Sequence, residues 1–200
     1  MARVPNVFNR GFKTSCENVA RQQRRQLNLL PSDPLNPWTL AQHLGIAVHS
    51  VEDVPGLAPD CMQTLLRDDP DSWSAVTVSS GGRSVIILNS SHSRPRLASD
   101  LVHEIAHILL GHSPARVDVT EDGCLMLSMY DRNQEDEANW LAGCLLLPRD
   151  AVVFIRRRRL ELTAAAQKYG TSMEMLNYRI RVTGVDYQFK KALSTFSAGN

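Results

Sequence analysis

The sequence has no run of about eighteen apolar residues, and without one no single helix can carry its backbone across a bilayer. Its opening residues, MARVPNVFNRGFKTSCENVARQQRR, contain no apolar stretch of the kind that addresses a chain for secretion. The four cysteines, Cys16, Cys61, Cys124 and Cys144, are widely spaced without a CxxC pair, so they give no mark of secretion either. A reducing, cytoplasmic setting is therefore the default expectation, with no membrane as partner. No internal repeat or low-complexity tract occurs. What is present is 200 residues with 43% apolar content, enough to bury a real core without a metal or disulfide to hold it.

Strong charge of either sign is also missing overall, but the formal net charge of +1 hides a pattern. Residues 1–30 carry six Lys/Arg against one acid, residues 156–200 carry nine against three, and the stretch between is acidic. Basic ends can meet nucleic acid or an acidic partner; solvated helix faces are the plainer account.

Along the chain, residues 12–28 have apolar positions near helical spacing and read as a surface helix ending before the turn cluster LLPSDPLNP. PWTLAQHLGIAVHSVED reads as a short helix, a stop at Gly45 and a strand-like IAVHSV. AVTVSSGGRSVIILN has two β-branched runs joined by a Ser/Gly turn, a hairpin pattern. A helix is expected from about Arg94 to His112, then a loop or irregular crossover over 113–131. A second strong helix follows in NQEDEANWLAGCLLLP, stopped by Pro148. The last third reads as helical, broken at Gly170 and ended near Gly184. Three parts are expected: an N-terminal helical segment 1–50, a core 51–155, and a helical, helix-turn-helix-like segment 156–200.

The chemistry is concentrated in LVHEIAHILLGH, Leu101 to His112. Successive helical residues turn by about 100°, so His103 and His107 lie about 40° apart on one face, one turn above the other, where two imidazoles can grip one zinc ion. Glu104, about 100° round from His103, can reach a water at the metal without ligating the metal itself, the placement of a general base. The alternative is ordinary hydrogen-bonded polar residues on a core helix. Against it, the surrounding Leu, Val, Ile and Ala wrap the helix in core, where an unpaired Glu and two His cost several kcal/mol. His112, about 180° from His103 on a continued helix, is expected to face away. The extended pattern HExxHxxGxxH fails at Leu110 and Ser113.

A catalytic zinc takes three protein ligands and keeps one open position. The acidic cluster Glu135, Asp136 and Glu137 opens the second strong helix, and spacing alone does not separate a ligand there from acids placed by the helix dipole. HEIAHILLGH, EDEANWLAGCLLLPR and YGTSMEMLNYRIRVTG together resemble the ImmA/IrrE family of metallo-endopeptidases over roughly Trp73 to Gly184. That resemblance implies an α+β, zincin-like core, with a small antiparallel or mixed sheet packed on the HExxH helix. It also implies Zn2+ held by His103, His107 and Glu135, with Glu137 the fallback ligand and Glu104 the general base. Leu141 departs from the Phe usual in the family, a change of core residue only.

For a peptide substrate, the run Val85, Ile86, Ile87 and Leu88 could supply an edge strand by β-augmentation, or could be an internal, fully paired strand. Tyr130 and Tyr178 are candidate donors to the oxyanion. By the resemblance, the substrate is a protein, a helix-turn-helix repressor encoded nearby, in a stress response or mobile element. The rival readings are a non-proteolytic partner-binding module, such as a toxin–antitoxin component, or a DNA-binding regulator using LTAAAQKYGTSMEMLNYRI. In that last case Asn177, Arg179 and Arg181 would be the readers.

Overall fold

The computed structural model describes residues 8–80, 83–112, 116–119, 125–128 and 131–189. In chain order they form α1 (Phe12–Gln26), α2 (Pro37–His43), β1 (Ala47–Ser50), a 3-10 turn (Val51–Asp53) and α3 (Pro59–Gln63), which continues into a wide turn, Thr64–Asp68. Next come β2 (Ala75–Ser80), β3 (Arg83–Leu88), α4 (Arg94–Leu110), β4 (Arg116–Val119) and β5 (Leu125–Ser128). The remainder is helical: α5 (Arg132–Leu146), α6 (Arg149–Arg157), α7 (Leu162–Tyr169) and α8 (Met173–Thr183). The class is α+β, as the sequence implies. Within 113–131, where a loop was expected, β4 and β5 pair antiparallel. Among the described residues no single helix is long and apolar enough to cross a membrane.

The chain divides into two compact units, residues 1–13 with 36–142 and residues 14–35 with 143–200. These boundaries are not those expected from sequence, because α1 is tied to distant residues of the second unit rather than to an N-terminal segment. Arg21 Nε pairs with Asp150 at 2.6 Å, and Arg179 Nη2 donates to Glu17 at 2.5 Å.

In the first unit, three strands run in the order β1-β3-β2, with β1 parallel and β2 antiparallel to β3. Alternation along a strand sends successive side chains to opposite faces. Ile86 and Leu88 are buried, whereas Val85 and Ile87 on the other face are partly exposed. The register sets Thr77 beside Ile86. Sheet and α2 pack on α4, whose Ala98, Leu101, Val102, Ile105 and Ala106 recur at three- and four-residue spacing and are all buried. This corrects the edge-strand expectation: Val85, Ile86, Ile87 and Leu88 lie in the central strand, bonded to a neighbour on each side. The β-branched, apolar run is what such a doubly covered position demands.

The second unit has its own core, formed by Leu147, Ala151, Val152, Ile155, Ala165, Ala166, Tyr169, Leu176, Ile180 and Val185. Two guanidiniums are buried beside it. Arg24 Nη2 donates to Leu145 O at 2.8 Å, and Arg179 Nε donates to Leu147 O at 2.9 Å. They satisfy a carbonyl in the last turn of α5, Leu145, and one just past its end, Leu147, where the helix leaves such groups without partners of its own. Neither arginine is a solvated charge, and neither is free to read a phosphate. Burial lowers the Arg24 pKa to about 10 and raises that of Tyr169, whose hydroxyl donates to Ser32 O at 2.6 Å, to about 12.

Candidate metal centre

The two ends of α4 prepare the site. Pro95 stands in its first turn, where a missing N–H costs nothing, and Gly111 closes it with φ 68°. His103 and His107 project from the same face of α4, their ring centroids 4.7 Å apart. Glu135 enters from the first turn of α5: its Oε2 lies 3.1 Å from His103 Nε2 and its Oε1 lies 3.4 Å from His107 Nε2. One ligand atom from each of the three residues falls within 4.8 Å of the others. Of the two acids weighed from the sequence, Glu135 is the one brought to the histidines. Glu137 is directed to His112, with Oε2 3.2 Å from His112 Nε2.

The hydrogen bonds behind the rings decide what the front can hold. Asn139 Oδ1, an acceptor, lies 3.1 Å from His103 Nδ1, so that nitrogen is the donor, and in the neutral ring the lone pair is then on Nε2. His107 Nε2 approaches His103 Nε2 to 3.0 Å. Burial and the neighbouring His103 ring hold the His107 pKa down to about 4 against the pull of Glu135, so this ring is neutral at neutral pH. Two imidazole nitrogens and a carboxylate thus converge with their acceptor atoms facing one another. A single cation is what such a donor set fits, and two His with one Glu is a combination that suits zinc.

Glu104 stands beside this group without joining it. Its Oε2 accepts a hydrogen bond from Thr77 Oγ1 at 2.5 Å, so β2 fixes the carboxylate from the sheet side. Burial raises the Glu104 pKa above the usual carboxylate range; the Thr77 bond and His103 pull it back, and Glu135 and Asp100 add to the rise. An acid held partly towards its neutral form is suited to taking and returning a proton.

His112 does not face away. Gly111 leaves the helical conformation, and the amide of His112 turns back to donate to His107 O at 3.1 Å. The ring then lies behind His107, Nδ1 to Nδ1 at 3.0 Å. The angular argument assumed that the helix continued through residue 112. Thr77 was not singled out from the sequence; Asn139, four residues from Glu135, reads from spacing as sharing its face, but no role for it was legible. Tyr130 lies outside the described residues, and Tyr178 belongs to α8 in the second unit, its ring 5.7 Å from the Arg181 guanidinium.

A family profile for the IrrE N-terminal-like domain, peptidase M78, matches residues 62–181, more than half of the chain. The chain belongs to the M78 peptidase family. The M78 match contains every residue of the centre, from Thr77 to Asn139, and membership makes this a metallopeptidase by family. No curated protein matches the chain.

Proposed function

We propose that the protein is a cytoplasmic, zinc-dependent endopeptidase whose substrate is a helix-turn-helix repressor encoded nearby, cleaved in a stress response or during regulation of a mobile element. The observation that carries the chemistry is the convergence of His103, His107 and Glu135 beside a buried Glu104 that does not join them. A module that only held a partner would have no use for that carboxylate.

His103 and His107 through Nε2, and Glu135 through its carboxylate, would hold the metal. Bound there, zinc would supply Lewis-acid polarisation of the peptide carbonyl and of the attacking water. Glu104, at its carboxylate oxygens, accepts the proton of that water and returns it to the departing amine nitrogen. Thr77 keeps the carboxylate aimed while it does so. Asn139 holds the His103 ring by its far nitrogen. The peptide would lie along β2, the edge strand next to α4, instead of along β3; among the described residues β2 is paired on one side only.

The test is metal analysis together with co-expression of the adjacent regulator, comparing wild type with Glu104→Gln. Glu104→Gln should retain zinc and lose regulator cleavage by at least about a hundredfold, the scale of a lost general base. Equal cleavage by both proteins would reject the mechanism. A wild type that cuts unrelated peptides in a Glu104-dependent way but leaves the regulator intact would reject the repressor as substrate.

A further inference from the structure

His112 and Glu137 were not needed to build the ligand set, yet His112 lies behind it, between His107 and Glu137. The His112 side chain is 8% exposed, and its two ring nitrogens are both engaged, Nδ1 with His107 Nδ1 at 3.0 Å and Nε2 with Glu137 Oε2 at 3.2 Å. We propose that Glu137 and His112 are positioning residues that fix which nitrogen of His107 carries the hydrogen and hold its ring in the plane required for metal binding.

The argument follows from counting hydrogens. A carboxylate only accepts, so the hydrogen between Glu137 and His112 sits on His112 Nε2. In the neutral form of the ring, which carries one N–H, His112 Nδ1 is then an acceptor. Its neighbour His107 Nδ1 must then donate, so the lone pair of His107 is at Nε2, the atom that faces His103 and Glu135. The chain Glu137–His112–His107 does for the second ligand what Asn139 does directly for the first. Three elements contribute: His107 from α4, His112 from the turn after Gly111, and Glu137 from α5. Ring packing adds to the hydrogen bonds, with the planes of His107 and His112 inclined at 71° and their centroids 5.0 Å apart. Partners of this kind behind a metal-ligating histidine typically change metal affinity by about 10- to 100-fold when removed.

The inference rests on the zinc reading of the site, but one of its two tests needs no metal. In full-length, metal-free protein, nitrogen-15 NMR of the imidazoles should show the hydrogen of His107 on Nδ1 in the wild type. In His112→Phe, which keeps a ring but offers no acceptor, it should redistribute towards Nε2. Zn2+ affinity, measured by competition with a chromophoric chelator, should fall about 10- to 100-fold in His112→Phe and in Glu137→Leu, and recover in part in His112→Asn, whose amide oxygen can accept from His107. Circular dichroism and thermal melts of the metal-free variants identify any that fail to fold, in which case His112→Asn against His112→Gln supplies the comparison. An unchanged His107 tautomer, or wild-type Zn2+ affinity in folded His112→Phe, would overturn the proposal. If the wild type bound no Zn2+ while its His107 tautomer shifted as described, the zinc reading would fail and the positioning role would stand.

Discussion

At the scale of single residues, Thr77 shows how a side chain without reactivity of its own can control one that has it. Its hydroxyl donates to Glu104 from the sheet side, and a hydrogen bond to a charged group contributes roughly 1.5–3 kcal/mol. Thr77→Val preserves shape and removes the hydroxyl. Peptide cleavage should fall about 10- to 100-fold with zinc content unchanged, and Thr77→Ser should restore most of the loss. Kinetics on one peptide, with metal analysis of each variant, check this; a Val variant as active as wild type would show that Glu104 needs no such support. The reason Thr77 was invisible in the sequence is distance along the chain, since it lies 27 residues before its partner. His103, Glu104 and His107 were legible because all three sit on one helix, where a fixed angle per residue converts spacing directly into geometry.

At the scale of elements, α5 has two duties: its first turn brings Glu135, and the carbonyls at and just past its end, Leu145 and Leu147, are taken up by Arg24 and Arg179. Arg179 also pairs with Glu17, whose other oxygen accepts from the Arg149 amide at 2.9 Å. Removing one member of a buried ion pair leaves the other uncompensated, at a cost of about 3–5 kcal/mol. Arg179→Met should therefore lower the unfolding free energy by about that amount, and the double variant Arg179→Met, Glu17→Gln should recover part of it. Urea unfolding followed by circular dichroism measures both; an unaltered midpoint for the single variant would show the pair to be dispensable. This burial also weighs against the DNA-reading alternative, for which Arg179 would have to be exposed. Asn177 and Arg181 remain on the outside of α8. From sequence the arginine looked like a surface charge, because residue type predicts exposure only on average and a buried guanidinium needs acceptors that other elements supply.

At the scale of the whole molecule, the candidate ligands come from α4 and from α5, more than twenty residues further on, so a metal bound there would be linked to the folding of the chain that connects them. A metal held by the folded and not the unfolded state adds about 4 kcal/mol when its free concentration is a thousand times Kd. For a chain of this length that corresponds to roughly 8–16 °C in Tm. Chelator should lower the melting temperature of the wild type by several degrees and leave a His107→Ala variant where it was; scanning calorimetry of both distinguishes this from a general effect of the chelator. The sequence by itself determined most of the helices, the antiparallel pairing of β2 with β3 and the placing of His103 and His107 on one helix face, because each depends on periodicity, turn residues or spacing within one element; the α+β class followed from the family resemblance. Only the tertiary structure decided that β3 is central and that His112 folds back behind His107, and it brings to the histidines Glu135, which spacing left open against Glu137 and the family resemblance had named. Those outcomes depend on which separate elements come into contact and on one left-handed glycine that redirects the chain, and neither is encoded in the period of any single segment.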